Sequence, residues 1–206
     1  VPHQQPPDRR VHRSRTALET ALLELIGEHD LARISVLDIT RRAGVNRSTF
    51  YEHYGSVDDL AASACAAMFD ELIAVAPVLG GHHGPGGREL AADALTAVFS
   101  HVAEHARLYG ALLGAGGSAY MINHMHERLT ASIRTNLDRA DDRRARPADP
   151  AGSPHGSSAA LLAGILLGGI LDWLRHGCPG TPRQTSATTL PLLHAAASAA
   201  GFPPFP

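Results

Sequence analysis

The sequence predicts an all-α fold in which a small amino-terminal helix-turn-helix unit precedes a larger helical region. Three observations carry this. Apolar residues recur at helical spacing through most of the 206-residue chain. Stretches rich in Gly and Pro separate the periodic segments. No run of alternating apolar and polar residues marks a strand, and no internal repeat is visible.

Residues 1–9 are Pro-rich and read as a disordered arm. The first helix is expected from about Arg13 to His29, with Leu18, Ala21, Leu22, Leu25 and Ile26 on its core face. Asp30 and the residues after it close this helix. Ser35 begins a second helix, in which Val36, Ile39 and Ala43 mark one apolar face. Gly44 stands where the chain must turn sharply and where a positive φ costs least. Val45 plugs the gap behind the turn. Asn46 suits an N-cap, and residues 47–54 follow as a short helix with Phe50 and Tyr54 for the core. Two helices around a tight turn, the second presenting polar and aromatic side chains, are the layout that places a helix in the DNA major groove.

Ser56 caps the next helix, with Asp58 and Asp59 in its first turn, where carboxylates suit the helix dipole. It is expected to reach about Ala76 and to bury Leu60, Ala64, Met68, Leu72 and Val75. Pro77 and the glycines at 80, 81, 84, 86 and 87 end it. Further helices are expected over Leu90–His105, Arg107–Leu113, Ser118–Asp138, Ser158–Arg175 and Ser186–Ala200. Residues 139–157 are charged and rich in Pro and Gly, and read as a mobile loop. The tail GFPPFP cannot continue a helix.

The net charge of −2 argues against a general nucleic-acid coat, but its distribution is more telling. Arg9, Arg10, Arg13 and Arg15 cluster near the amino terminus, and Arg41, Arg42 and Arg47 lie in the helix-turn-helix. A solvated arm and helix face would look the same in isolation. Beside the motif, the clusters read as phosphate attraction. Two cysteines, Cys65 and Cys178, are too few for a disulfide framework, which fits a reducing cytoplasm. No signal peptide is expected, because the first residues carry arginine without an apolar stretch. Residues 159–171 are strongly apolar but too short to span a membrane, so they read as a helix buried between protein surfaces and no membrane partner is expected.

The string Ile39-Thr40-x-x-Ala43-Gly44-Val45-Asn46-x-Ser48-Thr49-Phe50-Tyr51-x-His53-Tyr54, with Asp58, Asp59 and Leu60 after it, resembles the TetR family of bacterial transcriptional regulators. The residues after the turn stand at the family's spacing, and the motif begins at the family's distance from the amino terminus. The resemblance covers about residues 10–75; the rest of the chain matches in length and helical texture. It implies a helix-turn-helix DNA-binding domain over 10–55, a helical regulatory and dimerisation domain over 56–200, and a tail over 201–206.

On that resemblance, Arg47, Thr49 and Tyr51 are the candidates for base edges. An arginine can bond guanine O6 and N7 together, worth about 1–3 kcal/mol of discrimination. Ser48, His53 and Tyr54 are candidates for phosphates, which hold register without reading sequence, although Tyr54 serves equally well as core. Asn46 and Ser56 flank the recognition helix, and the helix start at Ser56 offers amide donors to a phosphate. Arg10 and Arg13 would reach along the backbone or into the minor groove. Two positions depart from the family. Val57 stands where Lys is usual, which removes a phosphate contact and flattens the salt dependence. Thr40 stands where Ala is frequent and is small enough to keep the packing.

The resemblance also implies a small-molecule pocket and a two-fold dimer. Phe69, Leu72, Phe99, Leu112 and Leu113 would line the pocket with Met121, Met125 and a closing Trp173, while Tyr120 and His124 would orient the ligand by hydrogen bonds. Apolar walls with a few polar groups suit a lipophilic metabolite. Gly164 and Gly168 would let a second helix approach closely. Leu166, Leu167, Ile170, Leu190 and Leu193 are the candidate contacts of a four-helix interface. A central core helix of a monomer is the competing reading of this segment. A two-fold dimer would mirror a palindromic operator.

His101 and His105 share a helix face, and His124 and His126 do not. Two imidazoles without a Cys or carboxylate at ligand spacing do not make a metal site, so no metal and no cofactor are expected. His82 and His83 lie in a glycine loop and read as solvent-facing. No G-x-S-x-G, P-loop or H-E-x-x-H is present, and no catalytic residue is assigned. The expectation is a dimeric, ligand-responsive regulator, a repressor more readily than an activator, with double-stranded operator DNA and a small lipophilic effector as partners. The alternative is a small-molecule-binding module of the same fold with weak or lost DNA binding.

Overall fold

The computed structural model describes residues 7–75, 87–142 and 155–199. Those residues form ten α-helices and no strand: α1 Pro7–Ile26, α2 Val36–Ala43, α3 Arg47–His53, α4 Val57–Ala64, α5 Ala66–Val75, α6 Gly87–Glu104, α7 Ala106–Leu113, α8 Ala119–Asp142, α9 His155–Arg175 and α10 Pro182–Ala199. The all-α expectation holds. The first six residues of the expected arm, the histidines at 82 and 83 and the tail at 201–206 lie outside the described residues.

The head is α1 to α4. Helix α1 begins six residues before the expected Arg13, so residues 7–9 are helical rather than part of a disordered arm. Proline suits the first helical position, where its missing N–H is no loss and its φ is already set. Leu18, Ala21, Leu22, Leu25 and Ile26 are all buried, as their spacing predicts. Each buried leucine contributes about 1.5–3 kcal/mol. The helix ends three residues before His29, and a short 3₁₀ turn at Leu31–Arg33 follows.

Ser35 caps α2 through a reciprocal pair: the Asp38 amide donates to Ser35 Oγ (3.3 Å) and the Ser35 amide to Asp38 Oδ2 (3.0 Å). Gly44 ends α2 in the left-handed region (φ 64°, ψ 33°), which a side chain adopts only at a cost. Its amide and that of Val45 donate back to Arg41 and Thr40 carbonyls, closing the turn. Asn46 stands at the N-cap of α3 in extended conformation, but its side chain makes no capping bond. Ser56 caps α4 by accepting from the Asp59 amide at 3.1 Å.

One long helix was expected from Ser56 to about Ala76. Two are present, parted at Cys65, where ψ moves to 4°. The Cys65 amide still donates to the Ala61 carbonyl, and the Phe69 amide to that of Cys65. The break is therefore a bend in a continuous ladder. Cys65 is buried at the bend.

Helices α5 to α10 form the body. The expected core positions Ala91, Leu95, Val98, Phe99 and Val102 of α6 are buried. Helix α8 runs four residues past Asp138 and α9 starts three residues before Ser158, so both ends of the expected 139–157 loop are helical. Helix α10 starts four residues before Ser186. The sequence Thr181-Pro182-Arg183-Gln184 explains this: the Gln184 amide donates to Thr181 Oγ1 (3.2 Å), the Thr181 amide to Gln184 Oε1 (2.8 Å), and proline takes the first position.

Helix α9 packs along α8 and α10, and α10 packs on α6. By length and composition, residues 156–175 would suffice to cross a membrane. Here one face of that helix, with Leu162, Ala163, Leu166, Leu167, Ile170 and Trp173, is buried in the body. The turn between α7 and α8 admits no side chain at Gly117, where a Cβ would collide with the Leu112 backbone. That tight turn brings the Gly116 carbonyl to the Ala32 amide (3.3 Å), joining body to head.

Candidate nucleic-acid interface

Helix α3 presents two faces. Phe50 is fully buried against α1 and α2, and it fixes the helix to the head. Arg47, Ser48 and Tyr51 point away and are exposed, and Thr49 is half-buried. Arg47 and Tyr51, one turn apart, are paired: Arg47 Nη2 donates to the Tyr51 hydroxyl at 3.2 Å, and the guanidinium lies 5.6 Å from the ring centroid. Stacking on the ring preorders a flexible arginine while leaving its other donors free. Three candidates for base contact thus lie on one short helix, with Arg47 and Tyr51 facing solvent.

The candidates for phosphate contact separate. Asn46 and Ser48 are exposed, and Arg10 and Arg13 are exposed on α1. His53 is half-buried, with Nε2 2.7 Å from Ser14 Oγ, so it braces α3 on α1. Ser56 spends its hydroxyl on the α4 cap. Tyr54 is only 6% exposed and its hydroxyl donates to Glu19 Oε1 at 2.8 Å. Of the two readings the sequence left open for Tyr54, this burial favours core. Val57 is half-buried and packs on the core, so no cation stands at that position.

Glu19 was missed by sequence reasoning. Its Oε1 accepts from Tyr54, from Ser63 Oγ (2.8 Å) and from Arg15 Nε (3.3 Å), tying α1 to the end of α3 and to α4. Burial alone would push this carboxyl up, but the bonds from Tyr54, Ser63 and Arg15 outweigh it and hold Glu19 below its ordinary value. The available signal was a carboxylate placed inside the apolar face of α1, directly after Leu18. On the other side of the head, Arg42 binds Glu28 (2.9 Å) and Glu24 (3.4 Å), which takes it out of the set of free cations. An open cleft of about 920 Å³ lies there, lined by Leu25, His29, Arg33, Ile34, Asp38, Arg41 and Arg42.

In the body, Phe69, Leu72, Phe99, Leu112, Leu113, Met121 and Met125 are buried together in the core. His124 is half-buried, 6.4 Å from the Phe69 ring. Trp173 is buried edge-on to Phe99 (5.4 Å), and its indole N–H donates to the Pro179 carbonyl at 2.9 Å. Tyr120 does not join them. It is 45% exposed and reaches Asp59 on α4 instead of the interior. The tyrosine inside is Tyr109, fully buried and stacked 6.1 Å from Phe69, and its hydroxyl has no hydrogen-bond partner. Burial raises its phenol well above the usual range, with the nearby Cys65 and Glu71 adding to the effect. Cys65 is pushed up to about 12 by burial, so its thiol stays protonated.

The candidate dimer contacts divide by burial. Leu166, Leu167, Ile170, Leu190 and Leu193 are at most 7% exposed within a single chain, buried in its own core. Helix α9 packs along α8 and α10, and α10 along α6, so the body takes the larger part of the apolar surface of both helices. Gly164 and Gly168 lie on the opposite, exposed face. A Cβ at Gly168 would meet nothing within 4 Å, and one at Gly164 only His126 Nε2 at 3.8 Å. Leu161 (67% exposed) shares that face, and Leu192 of α10 (62% exposed) is likewise open.

Residues 18–64 match the family described as "Bacterial regulatory proteins, tetR family". A curated relative, the uncharacterized HTH-type transcriptional regulator YxbF of Bacillus subtilis (strain 168), is 42% identical over 70 residues. That stretch is 32% of this chain and only 18% of the relative's length. The fold is similar to that of NalD, the secondary repressor of the MexAB-OprM multidrug efflux pump in Pseudomonas aeruginosa. The TM-score is 0.59 at 18% identity, over 90% of this chain and 97% of that one. It is also similar to that of Thermus thermophilus FadR, a TetR-family transcriptional repressor in complex with lauroyl-CoA. There the TM-score is 0.57 at 17% identity, over 87% and 92% of the two chains. Residues 18–64 therefore carry the helix-turn-helix domain of the tetR family of bacterial regulatory proteins, and the all-helical fold of the chain is similar to that of these repressors.

Proposed function

We propose that this regulator is a cytoplasmic dimeric repressor whose two α3 helices read the half-sites of a palindromic operator and which a small lipophilic effector releases. The observation that carries the reading is the Arg47–Tyr51 pair on the outer face of α3, braced from behind by buried Phe50 and by the Tyr54–Glu19 bond. Arg47 and Tyr51 contact base edges with Thr49; Arg10, Arg13, Asn46 and Ser48 take phosphates. The dimer face is built from the exposed side of α9 and α10, with Leu161, Gly164, Gly168 and Leu192 in place of the buried leucines. Two protomers related by a two-fold axis present their recognition helices roughly 34–36 Å apart.

The effector enters the apolar interior bounded by Phe69, Phe99, Leu112 and Met121, and its polar group meets the unpartnered Tyr109 hydroxyl. An efflux-pump repressor and a repressor seen with an acyl-CoA among the similar folds support a lipophilic effector. Release follows when the effector binds the DNA-incompetent arrangement more tightly than the competent one. The bend at Cys65 and the Gly116–Ala32 joint are where such a shift passes from body to head.

One observation favours the second reading, a ligand-binding module with little DNA affinity: Val57 packs inward and leaves its position without a cation. Fluorescence anisotropy of the protein against the DNA flanking its own gene, titrated in salt beside a scrambled duplex, separates the two. Salt-sensitive preference for the flanking duplex is the expected outcome. Equal, weak binding to both duplexes overturns the regulator reading for this chain and leaves the binding module.

A further inference from the structure

We propose that His101 and Glu104 at the end of α6, with His105 directly after them, form a binding site for a divalent transition metal of the zinc, cobalt and nickel group. The three residues stand at i, i+3 and i+4, with His101 and Glu104 in the last turn of α6 and His105 at the N-cap of α7, where its amide still donates to the His101 carbonyl. One donor atom from each lies within 4.8 Å of the other two. The imidazole rings of His101 and His105 are 4.6 Å apart between centroids.

Hydrogen bonding has already selected the ligand atoms. His105 Nδ1 lies 3.0 Å from the His101 carbonyl oxygen. A carbonyl only accepts, so Nδ1 carries the proton and Nε2 keeps its lone pair. A backbone carbonyl on the far nitrogen is also the usual orienting partner of a metal-binding histidine. His101 Nε2 is enclosed and has no hydrogen-bond partner. A structural core histidine would satisfy that nitrogen; this one holds it beside a second imidazole and a carboxylate.

The donor set selects the ion. Two imidazoles and one carboxylate make a familiar zinc set that leaves a fourth position open. Calcium and magnesium demand mostly oxygen donors, and no thiolate is present for copper(I). Metal–ligand bonds of about 2.0–2.2 Å place donors about 3.3 Å apart. Glu104 is exposed, so its side chain is the one free to swing its carboxylate toward the two imidazoles. Glu71 of α5 acts electrostatically on His101 and supplies further negative charge from the neighbouring helix. Counting imidazoles alone hid this site in the sequence: Glu104 stands between them and completes it.

The test uses the full chain without a histidine tag, titrated with cobalt(II) chloride alone and followed by visible d–d absorption. One cobalt per chain is expected, displaced by zinc, with the melting temperature raised by either ion. Glu104→Gln and His105→Gln should each weaken binding at least about tenfold, a loss as large as that of an orienting partner. Their metal-free melting curves verify that both fold. Absence of cobalt binding would overturn the site. So would binding in the Glu104→Gln/His105→Gln double variant within about threefold of the parent, because other histidines would then hold the ion.

Discussion

The Tyr120 hydroxyl, at the start of α8, donates to Asp59 Oδ1 at 3.0 Å in the first turn of α4. The bond joins the body to the helix that follows α3. Asp59 also gives its amide to the Ser56 cap, so one residue serves both the local helix start and the contact between domains. The Asp59 carboxylate pushes the Tyr120 phenol above its ordinary value, which keeps the donor proton in place at neutral pH. In urea, Tyr120→Phe and Asp59→Asn should each lower the unfolding midpoint slightly. The double variant should fall by less than the sum of the two. Strictly additive shifts would mean that the bond does no work in solution.

Glu19 gives the head an acid limit. Its folded-state carboxyl lies below its ordinary value, so the stabilisation is complete above the unfolded value of roughly 4.3 and disappears as pH falls through the folded one. Glu19→Gln should therefore destabilise at neutral pH by about 1 kcal/mol, after allowing for the carboxylate's solvent contact. The difference from the parent should shrink at low pH. Thermal melts between neutrality and pH 3 measure it, and a constant difference across that range would remove Glu19 from the acid transition.

Arg47→Ala should weaken operator binding and relax preference at one base position by about 1–3 kcal/mol. Arg10→Ala, a phosphate candidate, should weaken all sequences alike and reduce the salt slope by about 1. Anisotropy titrations against a panel of single-base operator variants check both. An unchanged base preference in the Arg47 variant would move the reading role to another residue.

Leu161 and Leu192 are large apolar side chains left open on α9 and α10. Leu161→Glu with Leu192→Glu should yield a monomer by sedimentation velocity, with the far-ultraviolet spectrum unchanged. Charges there cost nothing in an isolated chain and a great deal in a dry interface. A double variant that remains dimeric would place the interface on another face.

Much of the head was legible because its signals are local. The Ser35 cap, the Gly44 turn and the apolar spacing of α1 depend on residues within a few positions of one another. The late start expected for α10 is the instructive miss, since Thr181 to Gln184 is an equally local capping signal that passed unread. Glu19 and Tyr109 were beyond reach for a different reason. Glu19 draws its bonds from Tyr54 and Ser63 from 35 and 44 positions away, and Tyr109 is marked by enclosure and by a hydroxyl without a hydrogen-bond partner.

By itself the amino-acid sequence determined the helical class, the order of the elements, the position of the helix-turn-helix and its resemblance to one family. Periodicity and turn chemistry act through neighbours along the chain, so they can be read without coordinates. Only the tertiary structure decided which side of each helix is spent on the chain's own core. Helix α9 is apolar nearly all round, and its pattern could not say that Leu166 and Ile170 turn inward while Leu161 and Gly168 stay open. The same holds for Tyr120, which packing sends outward to Asp59, and for Tyr109, which packing encloses. Burial is a property of the whole assembly of helices, and no single segment encodes it.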